Sequence, residues 1–274
     1  MAFNVGKFQL LRYQMTREHA APTYTTPLQD IIPIKQSVKD LGVIVESTGG
    51  FGEHIDAVTS KCQGIAGWIL RVFESRDRLA MTTLFKSLVL PHLEYCCQLW
   101  SPAAVGQVRK LESIQRNFTR RIQGLDGLDY WTRLERLKLY SVQRRRERYL
   151  IIYIYKIICG MVPNIENDRF SIRTYENSRR LGRFCRIPPI NTGATAGMKT
   201  LVDMSFAVHA PKLFNGLPRT IREFNGSVNG FKSRLDGFLS QIPDKPSLVN
   251  YPQVSDGNSI LQQLERLRRE GIYL

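Results

Sequence analysis

The sequence has 274 residues, of which 43% are hydrophobic, so it is long enough to bury a sizeable core. Its 39 lysines and arginines against 24 acidic residues give a net charge of +15, which favours a polyanionic partner such as nucleic acid. Five cysteines without a Cys-x-x-Cys pair and four scattered histidines argue against a disulfide framework and a zinc knuckle, and no apolar run reaches the roughly 20 residues of a membrane span.

The first 48 residues are predicted to form a small antiparallel β-sheet. Three segments rich in β-branched or aromatic residues are separated by Pro, Thr and His, and they cover residues 8–13, 30–36 and 39–46. Because three strands are marginally stable on their own, we expect a helix or a larger sheet to cover one face.

Helices are predicted after the glycine-rich turn at residues 49–52. The hydrophobic period changes there from two residues to 3.6, and the first helical stripe consists of Ile55, Val58, Cys62, Ile65, Ile69 and Val72. Further helices are predicted from about 79 to 90, where Pro91 ends or kinks the helix, from 105 to 122, over YWTRLERL, and from 141 to 159. Residues 49–160 are therefore predicted to form one helical domain.

The remaining sequence divides into two parts. Residues 161–200 are rich in Asn, Arg, Pro, Gly and Thr, which predicts an exposed basic linker without a packed face. Apolar stripes return within residues 201–274, at SFAVHAPKLF, SVNGFKSRLDGFL and a terminal helix. The predicted fold class is α+β and mostly α, with a small antiparallel β-sheet at the N-terminus, a helical bundle and a looser helical C-terminal region.

The basic residues are concentrated in two stretches. Residues 107–148 contain twelve lysines and arginines against five acids, and residues 169–186 contain six arginines against one acid. Arginine suits bidentate phosphate contacts, although a solvated helix face is the alternative. The candidate nucleic-acid-binding residues are Arg109, Lys110, Arg116, Arg120, Arg121, Arg144, Arg145 and Arg148.

Four neighbouring arginines in the helix from 141 to 159 differ in predicted direction. At about 100° per residue, one apolar side contains Val142, Tyr149, Leu150, Tyr153 and Ile157. Arg146 points into that side and is expected to pair with a carboxylate, whereas Arg144, Arg145 and Arg148 point away and are expected to face a phosphate backbone.

Recognisable catalytic motifs are absent from the sequence. It contains no adjacent Asp-Asp, no Asp-x-Asp, no phosphate loop and no nucleophile-base motif that we can identify. We therefore assign no catalytic residue and no metal ligand.

The order of several short motifs resembles the carboxyl-terminal part of reverse transcriptases from non-long-terminal-repeat retrotransposons of the jockey-like group. FNVGK and KDLGV are similar to segments at the end of the palm, and FGEHIDAVTSKC and LFKSLVLPHLEYCCQLWSP to thumb helices. KLESIQRNFTRRI, RLERLKLYSVQRRRERYLIIYIYKI and FAVHAPKLFNGLPRTIREFNGSVNGFKSRLDGFL resemble three successive stretches of the tail. The resemblance covers nearly the whole chain.

The resemblance implies roles for residues near the amino end. Lys7 would lie beside the incoming nucleotide, and Leu41, Gly42 and Val43 would form a primer grip that supports the primer end. Each has a simpler alternative: Lys7 as a surface lysine, Gly42 as a bulge or close-packing glycine, and Leu41 and Val43 as core residues.

For the whole chain, the resemblance implies a template- and primer-binding portion of an RNA-directed DNA polymerase. The fingers, the palm aspartates that hold magnesium and the endonuclease would lie upstream of Met1, so this chain alone is expected to be inactive and to hold no cofactor. The expected partners are RNA, DNA or their hybrid and the missing upstream regions, with no membrane, in the nucleus or cytoplasm. A stand-alone basic helical nucleic-acid-binding protein and a decayed remnant without function are the alternatives.

Overall fold

The computed structural model describes residues 7–13, 23–102, 104–162, 172–175, 182–187, 196–245 and 258–271. The chain divides into two compact units, residues 1–58 and 59–274. The predicted fold class is confirmed, since most elements are helices and the sheets near the amino end have two strands each. No helix among the described residues is both long and apolar enough to cross a membrane.

The first unit contains two pairs of strands instead of the predicted three-stranded antiparallel sheet. Strand β1 (Leu10–Leu11) pairs in parallel with β2 (Ile34–Lys35), and β3 (Ser37–Asp40) pairs antiparallel with β4 (Val43–Glu46). The prediction of one strand over residues 39–46 is wrong. Leu41 and Gly42 have φ angles of +44° and +90°, which turn the chain back on itself between β3 and β4.

Helix α1 (Gly52–Val72) begins in this first unit and confirms the predicted change to helical periodicity. Near its start the Glu46 carboxylate accepts the backbone N–H of Glu53 at 2.7 Å, which satisfies one of the donors that a helix amino end leaves free. The buried His54 accepts the backbone N–H of Ile44 through Nδ1 at 3.3 Å. His54 is thus a structural residue, as a lone histidine commonly is.

In the second unit, the predicted helix over 79–90 consists of three shorter parts. Helix α2 (Arg78–Leu84) continues into a single π-helical turn, Phe85–Val89, and then into α3 (Leu90–Glu94). The N–H of Leu90 bonds to the carbonyl of Phe85, five residues back. Pro91 lies in the first turn of α3, where a missing N–H costs no hydrogen bond. It therefore follows the π-helical turn and does not end the helix.

Three helices follow at the predicted positions: α4 (Val105–Thr119), α5 (Tyr130–Leu137) and α6 (Val142–Ile158). Asp129 caps α5, because its side chain accepts the N–H groups of Trp131 and Thr132. Ser141 caps α6, since its Oγ accepts the N–H of Arg144 at 3.1 Å. Short polar residues therefore fix both helix starts.

The region predicted to be an exposed linker contains a strand pair. Strands β5 (Ile172–Tyr175) and β6 (Gly182–Cys185) are antiparallel. Cys185 is 4% exposed and belongs to the main core, and its backbone N–H and carbonyl both bond to the side chain of Asn215. The expectation of a connection without a packed face is wrong at Cys185. Most other residues of that predicted linker lie outside the described residues.

Four carboxyl-terminal helices share one hydrophobic core with α6. They are α8 (Phe206–Gly216), α9 (Arg219–Arg222), α10 (Val228–Leu239) and α11 (Ile260–Arg269). The preceding helix, α7 (Ala196–Met204), has no buried residue. The ring of Tyr155 on α6 stacks on that of Phe231 on α10 with 3.8 Å between centroids. Leu213, Phe214 and Leu264 pack in the same core. Each fully buried side chain of this size contributes about 1.5–3 kcal/mol to folding.

Candidate nucleic-acid interface

The three residues of the predicted primer grip occupy different environments at the end of the β3–β4 hairpin. Asp40 and Val43 are the last paired residues, and Leu41 and Gly42 form the two-residue turn between them. Val43 is 2% exposed and belongs to the core, whereas Leu41 is 85% exposed at the tip. The bulge alternative for Gly42 is wrong, because its φ of +90° serves the turn.

Leucine is an unusual residue for the position that Leu41 occupies. A turn with positive φ at both central residues favours Asn, Asp or Gly, and a branched apolar side chain is strained there. Strain of this kind is retained most often at functional sites. The hairpin tip is therefore the strongest candidate for contact with a ligand in the first unit. Lys7 is exposed, and its proposed position beside a nucleotide stays a prediction.

Replacing Leu41 by asparagine is expected to stabilise the hairpin. Asparagine tolerates positive φ, so the change should raise the free energy of unfolding by about 1 kcal/mol. Hydrogen exchange of the β3–β4 amides measures this locally. Gly42→Ala is the opposing variant and should reduce protection, because alanine is strained at a φ of +90°. Lower protection in Leu41→Asn would show that the leucine is not strained.

In the second unit, the candidate cations on and just beyond α4 differ in exposure. Lys110, Arg120 and Arg121 are exposed, whereas Arg109 and Arg116 are half-buried. The guanidinium of Arg116 lies 4.9 Å from the centroid of the Tyr130 ring on α5. Arg120 and Arg121 follow the last turn of α4, where positive charge also favours the helix dipole. These residues form the most accessible part of the predicted basic surface.

Tyr130 is held in place by a buried hydrogen-bond network. Its hydroxyl donates to the Glu112 carboxylate and accepts from Nε2 of Gln115 at 3.0 Å. Glu112 also accepts the backbone N–H groups of Val142 and Gln143, at 3.1 and 3.2 Å, at the start of α6. Burial nevertheless raises the pKa of Glu112 to about 7, because desolvation outweighs these hydrogen bonds.

Arg133, which the sequence analysis did not select, lies on the same side of Tyr130. It is 4% exposed, and its guanidinium lies 5.7 Å from the centroid of the tyrosine ring. Burial lowers the pKa of Arg133, and the positive charges of Arg116 and Arg120 lower it further. The sequence does contain a signal for this contact. Tyr130 and Arg133 are three residues apart in a helix that Asp129 caps, so their side chains lie on the same face.

Arg144 on α6 is buried, although it was predicted to face solvent. Arg144 is 0% exposed, and its guanidinium donates to the carbonyls of Leu239, Ile242 and Pro243. The prediction of an exposed Arg144 is therefore wrong, because a segment about a hundred residues later covers that side of α6.

Arg145 and Arg148 are partly accessible but paired. Arg145 forms an ion pair with Glu94, and Arg148 forms a bidentate pair with Asp236, with Nη2 and Oδ2 2.6 Å apart. A phosphate would have to compete with these carboxylates. Their role in nucleic-acid binding stays a prediction.

Arg146 lies in the core, as predicted, but its partners are not carboxylates. It is 5% exposed and donates to the carbonyls of Leu93, at 2.7 Å, and Trp100. Its guanidinium lies 3.8 Å from the centroid of the Trp100 ring. The expected pairing with a carboxylate is wrong, and burial lowers the pKa of Arg146 to about 10.

The described residues do not fit a metal site. No three His, Cys, Asp or Glu side chains within the described ranges lie close enough together to share a metal ion.

Comparisons with known proteins reveal a distant relationship. Over 146 residues, or 52% of this chain, the sequence is 24% identical to a probable RNA-directed DNA polymerase from transposon X-element of Drosophila melanogaster, and it spans only 16% of that protein. An uncharacterised protein of Caenorhabditis elegans is 24% identical over 132 residues, which are 47% of this chain and 67% of that protein. No protein-family model matches. No solved structure matches either.

Proposed function

We propose that this chain is the carboxyl-terminal portion of a jockey-like retrotransposon reverse transcriptase and that it holds template and primer for the polymerase. The chain is a distant relative of a transposon RNA-directed DNA polymerase, which supports the origin. The order of the palm-end, thumb and tail motifs along the sequence supports the finer assignment. Synthesis itself would require the palm and fingers of the larger protein.

The observation that carries the binding proposal is the exposed pair Arg120 and Arg121 in a chain of net charge +15. Neither arginine forms an ion pair with a carboxylate of the described residues. Their guanidiniums are thus available to phosphate oxygens. Contacts of this kind hold a nucleic-acid backbone without reading its sequence.

The hairpin tip gives the proposal a second point of contact. An exposed, strained leucine at a turn suits apolar contact with a sugar or base at the end of a primer. Lys7 would neutralise a phosphate of the incoming nucleotide. RNA, DNA or their hybrid are the proposed partners, inside the cell and with the upstream regions of the same polyprotein.

Removing Arg120 and Arg121 together should weaken binding without unfolding the protein. On single strands each lost phosphate contact flattens the log-log salt slope by about 0.7, so the double alanine variant should flatten it by up to about 1.4. Titrations of a labelled single-stranded oligonucleotide at several salt concentrations measure this slope. The protein should bind sequences of different composition with similar affinity.

A second double variant that loses the same charge distinguishes local phosphate contacts from the general attraction between a basic protein and a nucleic acid. Arg219 and Arg269 are exposed and paired with Glu223 and Glu265, at 2.7 and 3.9 Å. Replacing these two by alanine also removes two positive charges and should leave the slope nearly unchanged. Equal losses in both double variants would refute a defined interface on α4, and a wild-type protein that binds no nucleic acid at low salt would refute the proposed function.

A further inference from the structure

Three arginines gather where α4 packs against α5. Arg116 and Arg120 lie one helical turn apart, Arg133 lies on α5, and we call these three residues the Arg133 cluster. The guanidiniums of Arg116 and Arg133 share the ring of Tyr130, at 4.9 and 5.7 Å from its centroid. Since Glu112 and Gln115 fix the tyrosine hydroxyl, the ring is a rigid support for both cations.

Arg133 differs from the other buried arginines in the described part of the chain. Arg144, Arg146 and Arg222 each donate to backbone carbonyls. Arg133 is 4% exposed, yet its Nε and Nη1 atoms have no hydrogen-bond partner within the described ranges. The buried Nε of Arg116 also lacks one. Buried donors of this kind require an explanation, and a bound anion would satisfy them.

The charge of the cluster is not balanced by a nearby ion pair. Asp129 acts in the opposite direction on the pKa of Arg133, but its carboxylate already accepts two backbone N–H groups and the Thr132 hydroxyl. Among the described residues, none of the three arginines forms an ion pair with a carboxylate. A buried, unpaired guanidinium beside two like charges is costly unless an anion joins it.

We propose that the Arg133 cluster is a binding site for one phosphate group. The oxygens of a phosphate supply the acceptors that Arg133 and Arg116 lack, and the planar guanidinium fork suits two of them at once. Inorganic phosphate would bring up to two negative charges to these three cations, whereas a backbone phosphodiester brings one charge and two non-bridging oxygens. The source of the group is a nucleic-acid backbone, and this part of the inference rests on the proposed function.

Thermal unfolding in phosphate and in chloride at equal ionic strength tests the site. The melting temperature of the wild-type protein should rise with inorganic phosphate, because an anion that binds only the folded state stabilises it. Arg133→Met keeps the buried volume and removes the charge, so its melting temperature should rise only by the smaller, non-specific amount that phosphate gives as a surface-excluded salt. In chloride it should melt no lower than the wild type. Arg219→Ala, at an exposed arginine that pairs with Glu223 outside the cluster, should retain the full response.

A further variant keeps the test decisive. If Arg133→Met does not fold, Arg116→Gln at a half-buried position should also lose the response. No specific phosphate response in the wild type, or an equal response in Arg133→Met, would overturn the proposal.

Oligonucleotide titrations identify the source of the phosphate. A loss of about tenfold in affinity for a single-stranded oligonucleotide in Arg133→Met, with phosphate competing in the wild type, supports the backbone. If phosphate raises the melting temperature of a protein that binds no oligonucleotide, the site exists and its ligand is free phosphate. That outcome refutes only the proposed function.

Discussion

Replacing Arg144 by alanine is expected to destabilise the second unit by about 3–5 kcal/mol. The buried guanidinium donates to the carbonyls of Ile242 and Pro243 at 2.6 and 2.7 Å, and to that of Leu239 at the end of α10. Its Nε lies 3.4 Å from Asp244. Without it, three carbonyls and a carboxylate lose their cation, and α10 loses the positive charge at its carboxyl end. Urea unfolding measures the loss.

Arg145→Ala is the matched control, one residue further along α6. Its ion pair with Glu94 is partly open to solvent, with 23% and 13% of the two side chains exposed, so its loss should cost about 1 kcal/mol or less. Similar small losses for both variants would mean that Arg144 does not stabilise the fold.

Protein stability is expected to decrease as the pH rises from about 4.5 to 7, through the buried carboxyl of Glu147. Burial raises the pKa of Glu147 from 4.5 to about 7, so the folded protein retains a proton that the unfolded chain releases. Protonated Glu147 makes its full stabilising contribution below pH 4.5. About 3 kcal/mol of that contribution is lost by pH 8. Glu147→Gln should remove this part of the pH dependence, while the contribution of Glu112, whose pKa burial also raises to about 7, should remain.

His209 acts in the opposite direction and must be separated from Glu147. Its Nε2 lies 4.0 Å from Oε1 of Glu147, and burial lowers the pKa of His209 to about 4. The contribution of neutral His209 to stability is complete above pH 6.5 and is lost as the pH falls towards 4. Between pH 4 and 6.5, His209 and Glu147 are both neutral in the folded protein. Glu147→Gln should therefore be more stable than the wild type at pH 8 and similar at pH 4.5.

Glu223→Gln is the control for loss of a carboxylate. Glu223 pairs with Arg219 at the surface, so its loss should change stability by less than about 1 kcal/mol. If Glu147→Gln is destabilised equally at every pH between 4.5 and 8, the buried carboxyl is ionised in the folded protein and the expected pH dependence is wrong.

The helices were predictable because their signals are local. The stripe of Ile55, Cys62 and Ile69 is buried on α1, and the caps Asp129 and Ser141 precede the helices that they begin. The strand prediction over 39–46 failed because apolar alternation does not reveal a turn at Leu41, a residue that is rare at positive φ.

The candidate site was less predictable for a different reason. A helical wheel gives the direction of Arg144 relative to Val142 and Leu150, but not which elements surround the helix. Helix α6 contacts α3 and α4 as well as α8 and α10. A side chain that points away from one of these neighbours is therefore buried against another. Arg133 was overlooked because the absence of a hydrogen-bond acceptor for its Nε and Nη1 among the described residues is a property of the packed structure rather than of composition.

The bonds of α6 to distant segments determine when this unit can fold during synthesis. Arg144 bonds to residues 98 and 99 positions later, and the Glu147 carboxylate accepts the N–H of Ile260, 113 positions later. Until Ile260 has left the ribosome, α6 carries charged groups without their partners and an apolar half without its cover. Contacts of such long range slow folding and leave a nascent chain open to aggregation and chaperone binding. We therefore expect the part of the second unit around α6 to fold late, after most of the sequence of the unit has been translated.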